Sequence, residues 1–519
     1  MFRRRMPIAI LALGCILAVR PAGAAGDEAA STRGPLPSYA AGTWRSLRAM
    51  VQPSGLPADG LHHAADGTWT AAPYTSPTNI AAYLWSVLSA EALGLIGPEE
   101  SGARIGRTLA ILGRMDRAQG FFYNWYDTGT ASPLAAWPGD GPRLRPFLSS
   151  VDNAWLAAAL MMVANARPDL AEPARALVRP MDFAFFFDAY DPAAPDAHPG
   201  LFRVGYWADT RTPTAAHYGL LNTEARIISY IGIVLGQIPP EHYYRLRRSM
   251  PADHVDQQQV PTGETQTLRG IAVFQGNYTY RGLRFVPSWG GSMFEALMVP
   301  LFVPEADWGP ASWGVNHPAY ARAQIEYGRQ AGHGLWGFSP ASRPAGGYRE
   351  YGVPDLGTLR GGYPSGDVVG VEPGAVPGDV VTPHAAFLAL PFAPREAQAV
   401  LEALADQFPT IYGRYGFADS VNVGSGQVAQ AVLALDQGMI LGALANTLVD
   451  RFLQRVFATG RVEAVLRPLM EPERFTAGSE RPALAAAADP APAAPKAEAG
   501  GLGSGGATAA AATATGMSP

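Results

Sequence analysis

Ser76-Pro77-Thr78-Asn79-Ile80-Ala81-Ala82-Tyr83-Leu84-Trp85-Ser86-Val87-Leu88 (76–88) opens a long apolar helix pattern and points to an all-helical chain. Serine before proline is a good helix entry, because the hydroxyl can accept a free first-turn N–H and proline lacks one to satisfy. Behind it Ile80, Tyr83, Leu84, Val87, Leu88 and Leu95 fall on one face, which predicts a helix over 79–96. Similar patterns predict helices over 104–115, 153–164, 170–187, 216–235, 291–302, 320–331, 385–390 and 395–408. A last pattern, 428–458, is expected to split near Ala445. Roughly ten to twelve helices with no comparable strand signal predict an all-α chain. No repeat of fixed length is visible, so an α/α barrel is preferred over a solenoid. Its long connectors, 188–214, 250–288, 337–383 and 409–426, hold most of the aromatic, glycine and proline residues. Long loops on a rigid scaffold are where binding and catalysis concentrate.

Outward from that core, composition marks the ends. Arg3, Arg4 and Arg5, the apolar run 8–19 and Ala22-Gly23-Ala24 predict a cleaved signal peptide over 1–24. The run is shorter than the ~20 residues of a spanning helix, so no stable membrane span is expected after cleavage. The expected location is periplasmic or secreted. Cys15 is the single cysteine, and its apolar surroundings argue against a lipoprotein site. Residues 25–37 read as a flexible leader, 38–475 as one catalytic domain, and 476–519 as a disordered Ala/Pro/Gly-rich tail. The chain is 48% hydrophobic and 16% charged, with net charge −5. That balance gives no footprint for nucleic acid.

The familiar motifs of phosphoryl transfer, zinc hydrolysis and serine hydrolysis are missing. His62-His63 does not suit a metal site, because adjacent side chains diverge on any regular element. Carboxylates among aromatics and glycines remain: Tyr123-Asn124-Trp125-Tyr126-Asp127, Ser150-Val151-Asp152-Asn153, Leu221-Asn222-Thr223-Glu224-Ala225-Arg226, Trp289-Gly290-Gly291-Ser292-Met293-Phe294-Glu295, Tyr415-Gly416-Phe417-Ala418-Asp419 and Asp436-Gln437-Gly438. Aromatic faces bind sugar C–H surfaces, and paired carboxyl groups hydrolyse glycosidic bonds. These motifs fit a glycan cleft that needs no cofactor. Each also has a structural reading. Asp152 suits a helix cap, Glu224 an ion pair with Arg226, Glu295 an acceptor for loop backbone and Asp419 a turn. Tyr123, Trp125 and Trp289 could equally be core aromatics.

Taken in order with Ser76–Ile80, Tyr351-Gly352-Val353-Pro354 and Val381-Thr382-Pro383-His384-Ala385, these motifs resemble the glucoamylase-like domain of cyclic β-1,2-glucan synthases and endo-β-1,2-glucanases. The resemblance spans residues 74–450 and implies an (α/α)6 barrel with its cleft at one end. It implies Glu224 as general acid. The segment that resembles the retaining relatives' nucleophile motif reads Trp336-Gly337-Phe338-Ser339-Pro340-Ala341, with Pro340 at the carboxylate position. Proline cannot attack an anomeric carbon, so an inverting hydrolase is expected, with two carboxyl groups roughly 6.5–9.5 Å apart. Asp419 is the favoured base, ahead of Asp152 and Asp127. Asp127, Asp152, Trp125, Tyr126, Trp289, Glu295, Arg226 and Trp336 are the expected substrate-binding residues. The expected partner is a polysaccharide or oligosaccharide. Two alternatives stay open: a transglycosylase remodelling an exported polymer, and a non-catalytic glycan-binding protein.

Overall fold

The computed structural model describes residues 35–139, 141–330, 334–363 and 379–479. The expected signal peptide, Cys15 and nearly all of the expected tail lie outside the described residues. Among the described residues no helix is long and apolar enough to cross a membrane.

Among the described residues, twelve helices alternate between an inner and an outer ring. The outer ones are α1 (Leu36–Met50), α3 (Pro98–Leu112), α5 (Ala171–Val178), α7 (His242–Arg245), α10 (Trp313–Gln330) and α12 (Pro394–Gln407). The inner ones are α2 (Pro77–Ala92), α4 (Ser150–Ala166), α6 (Arg226–Leu235), α8 (Met293–Leu297), α11 (Pro383–Leu388) and α13 (Ala434–Leu448). Three further helices, α9 (Glu305–Trp308), α14 (Phe452–Phe457) and α15 (Arg461–Met470), pack around them. Helix α13 packs on α2, α2 on α4, α4 on α6, α8 on α11 and α11 on α13. The remaining junction, α6 to α8, is tied by the Arg226 guanidinium donating to the carbonyls of Glu295 and Ala296. The inner ring is therefore closed, as an (α/α)6 barrel requires.

Residue type separates the two rings. In α2 and α4 nearly every side chain is buried, because neighbours cover them on all sides. The outer α3 and α12 bury one stripe and expose the other. Ser76 caps α2 as expected, its Oγ accepting the Asn79 N–H at 3.2 Å, and Pro77 occupies the first turn.

Alternation of outer and inner helices also sorts the loops. Connections from inner to outer helix are short, as at 93–97, 167–170 and 389–393. Those from outer to inner helix are long, as at 113–149, 179–225 and 246–292. The long set gathers at the end where the inner helices begin, and carries most of the small two- and three-stranded sheets. One end of the barrel is thus built of loops over six helix N-termini.

Several boundaries differ from expectation. Helix α1 begins at Leu36 inside the expected leader, and Thr476 and Gly478 still bond to the 275–285 region beyond the expected domain end. The helix expected over 216–235 starts only at Arg226, since His217–Tyr218 is a strand. The one expected over 291–302 breaks into α8 and a 3-10 turn containing Pro300. The expected split of the last helix falls at 449–451, with Asp450 and Arg451 at positive φ.

Candidate active site

The first turns of the inner helices bring the carboxyl groups together. Asp152 lies in the first turn of α4, Glu295 in that of α8, Asp436 in that of α13, and Glu224 just ahead of α6. Backbone N–H groups converge there and favour negative charge. Burial acts the other way on the same groups and wins.

Around Glu224 the chemistry is tightly specified. Its Oε2 accepts the indole N–H of Trp155, from α4, at 2.6 Å. Burial first, then the neighbouring Glu295 charge, push its pKa well above the usual carboxylate range. Glu295 Oε2 accepts both the Thr223 hydroxyl at 2.5 Å and the Glu224 backbone N–H at 3.0 Å. Glu295 is therefore the backbone acceptor of its structural reading, and burial raises it to about 7. Asp152 is not the cap of α4. Ser149 is, accepting the Asp152 N–H, while Asp152 Oδ1 accepts the Thr78 hydroxyl at 2.5 Å. Burial raises Asp152 too.

A second carboxyl group cluster faces this one across α2. Asn79, beside Thr78, donates to Asp59 Oδ1 at 2.7 Å. Asp419 Oδ1 accepts the Leu433 N–H at 2.9 Å and Oδ2 the Ser342 N–H at 3.4 Å. Burial lifts Asp59 to about 6 and Asp419 to about 7, the latter aided by the Asp59 charge. Burial and the charges of Asp419 and Asp59 push Asp436 well above the usual range. Its Oδ2 lies 3.4 Å from His384 Nδ1, whose ring burial drives down to about 3. Neutral imidazole facing a protonated carboxyl group is the consistent state at neutral pH. A cavity of about 480 Å³ opens here, lined by Asp59, Asp436, Thr78, Trp125, Trp137 and Tyr348 among others. Trp125 packs edge-on against Trp137 and Tyr74 and is the expected aromatic that lines the cavity.

Other expected contacts are tied into the framework or stand off the cavity lining, as Glu224 and Asp419 also do. Arg226 is fully buried and pairs with Glu305 of α9 rather than Glu224, at 2.7 Å. Burial would raise Glu305, but Arg226 and His317 hold it down to about 2. Tyr126 is wholly buried, its hydroxyl bonded to the Asp116 carbonyl. Trp336 is 3% exposed and Trp289 half-buried, and neither lines the cavity. Asp127 Oδ1 accepts the N–H groups of Gly129 and Thr130 and the Thr130 hydroxyl, so it organises its own turn. Pro340 is buried next to Ser339, which accepts the Phe294 N–H beside Glu295.

Sequence reasoning named the Ser76–Ile80 and Asp436 motifs without assigning Thr78, Asn79 or Asp436 to the site, and missed Asp59 altogether. Asp59 stands in Pro57-Ala58-Asp59-Gly60, which reads as an ordinary turn. Only the closing of the ring places it beside Asp436. His62 and His63 do diverge: His62 lines the cavity while His63 stacks on Trp69.

Residues 269–460 match the Glycoamylase family model, described as a putative glucoamylase. The chain is 26% identical to the cyclic β-(1,2)-glucan synthase NdvB of Rhizobium meliloti (strain 1021) over 596 aligned positions. That alignment covers 86% of this chain and 19% of the synthase, so the chain spans about a fifth of that relative. An endo-β-1,2-glucanase from Chitinophaga pinensis, solved with sophorotriose and glucose, superposes with a TM-score of 0.60. It is 16% identical over 85% of this chain and 98% of that one. An endo-β-1,2-glucanase from Talaromyces funiculosus, solved with sophorose, gives 0.56 at 14% identity over 85% and 94%. The chain resembles the glucoamylase-like domain and shares its (α/α)6 fold. The resemblance expected from the ordered motifs is thus borne out.

Proposed function

We propose that this chain is an exported glycoside hydrolase that cleaves β-1,2-glucan with inversion at the anomeric carbon. One observation carries the reaction type: a buried, protonated Glu224, braced by Trp155, at the end of the barrel where Asp59 and Asp436 line a cavity with Trp125 and Trp137. A carboxylic acid kept neutral by burial is what a leaving glycosidic oxygen needs. The substrate rests on the glucanases that share the fold and on the synthase that shares sequence. Export to the periplasm or beyond it rests on the pattern of residues 1–24.

In the proposed reaction Glu224 gives its proton to the glycosidic oxygen as the bond to C1 breaks. Water attacks C1 from the opposite face and loses a proton to Asp419. The Leu433 and Ser342 N–H groups favour the ionised form of Asp419, while Asp436 beside it stays protonated. Asp59 and Asp436, which open onto the cavity, link the attacking water to Asp419. One product gains the proton of Glu224, the other a hydroxyl of inverted configuration, and solvent exchange restores both carboxyl groups. Pro340 at the nucleophile position supports this single displacement.

The test is Glu224→Gln. The variant keeps the melting temperature of the parent and loses turnover of linear β-1,2-glucan by about 10³-fold or more. Retained turnover on the same glucan removes Glu224 as the acid.

A further inference from the structure

Tyr218 stands six residues before Glu224 and is not accounted for by the reaction above. Its ring packs on the core, yet its hydroxyl is shut off from solvent without a hydrogen-bond partner among the described residues. A buried hydroxyl left unpaired is destabilising, so its presence here calls for a state in which it is paired. The groups around it are carboxyl groups. After burial, the charge of Glu224 acts on it most strongly, followed by Asp152 and Glu295, and together they hold the phenol protonated far above neutral pH. It is therefore a permanent donor beside Glu224, which burial keeps neutral at rest.

The strand that carries it is held firmly. Asp188 accepts from His217 Nε2 at 2.9 Å, from His198 Nδ1 at 2.8 Å and from the Arg203 guanidinium at 2.5 Å. Tyr218 pairs with Phe202, and Arg247 clamps Gly219 and Leu221 through backbone bonds at 2.8 Å. Three side-chain donors converge on one carboxylate to hold a two-residue strand. They fix where the next side chain points.

We infer that Tyr218 is a positioning residue for Glu224, its hydroxyl turning to donate to the carboxylate that Glu224 becomes once its proton has left. Such a donor stabilises charge that exists only as the reaction proceeds. Trp155 already holds one oxygen of Glu224 in the resting state, and Tyr218 supplies a second donor when the charge arrives. The inference rests on Glu224 being the acid.

Tyr218→Phe tests it in the whole protein with two readouts, one free of substrate. In the first, 13C-labelled glutamate is titrated by NMR, with Glu224→Gln identifying the Glu224 signal. The Phe variant shifts that titration to higher pH, while its melting temperature stays level or rises because the lost hydroxyl had no partner. In the second, kcat on linear β-1,2-glucan falls by about 10²-fold with KM within twofold, and the alkaline limb of the pH profile moves up. An unmoved Glu224 titration overturns the inference, as does a melting temperature several degrees lower, which would reveal a structural partner. If the parent cleaves no β-1,2-glucan the proposed substrate fails, and the titration still decides the role of Tyr218.

Discussion

Glu295 shows how one carboxyl group can serve structure and chemistry together. Through Oε2 it holds the Thr223 hydroxyl and the Glu224 N–H, and through its charge it raises Glu224. Glu295→Gln separates the two jobs, because an amide oxygen still accepts both bonds. Removing the negative charge lowers the pKa of Glu224, so the alkaline limb of activity moves down by about one pH unit. Stability supplies an independent check. The folded pKa of Glu295, about 7, lies above the ordinary ~4.3. The neutral carboxyl group's contribution is therefore full below about pH 4 and lost as pH rises through 7. The glutamine has no such loss, so its melting temperature gains on the parent between pH 5 and pH 8. At this scale the sequence was only partly readable. Glu224 sits in a motif whose neighbours announce it, whereas Arg226, in the same motif, looked like a sugar ligand until its partner was known. Glu305, which pairs with it, is 79 residues away. Ion pairs of that separation leave no local trace.

Among elements, the Asp436-Gln437-Gly438 turn of α13 puts three tasks in three residues. Asp436 faces the cavity, Gln437 donates to the Phe417 carbonyl at 2.9 Å, and Gly438 lets α13 approach α2. A Cβ at 438 would meet the Ala82 Cβ at 2.8 Å, and the Gly438 carbonyl already accepts the Trp85 indole N–H. Gly438→Ala therefore overpacks the inner ring and costs about 1–3 kcal/mol, seen as a lower denaturation midpoint with an unchanged slope. Inner helices were the most legible elements, since burial on every side demands long apolar runs. Helix α1 was hidden by the prolines Pro35 and Pro37, which mark a linker as readily as a helix start. Strand 217–218 was hidden for a different reason. The apolar period of α6 extends back through Leu220 and Leu221, and only the tertiary anchor on Asp188 overrides it.

For the molecule as a whole, the decisive feature is alternation. Outer and inner helices taken in turn send every long connector to one end of the ring, which is why carboxyl groups scattered from Asp59 to Asp436 meet. The sequence announced the long loops but not their equal shares. Connector 337–383 reaches the cavity through Tyr348 and Arg343, whereas 250–288 forms hairpins packed toward Glu473 and Arg474. We propose that this end of the barrel hydrolyses β-1,2-glucan by one displacement. That is tested most directly by incubating the protein with linear β-1,2-glucan and following the new reducing ends by 1H NMR from the first turnover. Single displacement gives shorter oligosaccharides whose new ends appear first as the α-anomer, before mutarotation. New ends appearing first as the β-anomer would contradict it, since retention needs a nucleophile where this chain has Pro340.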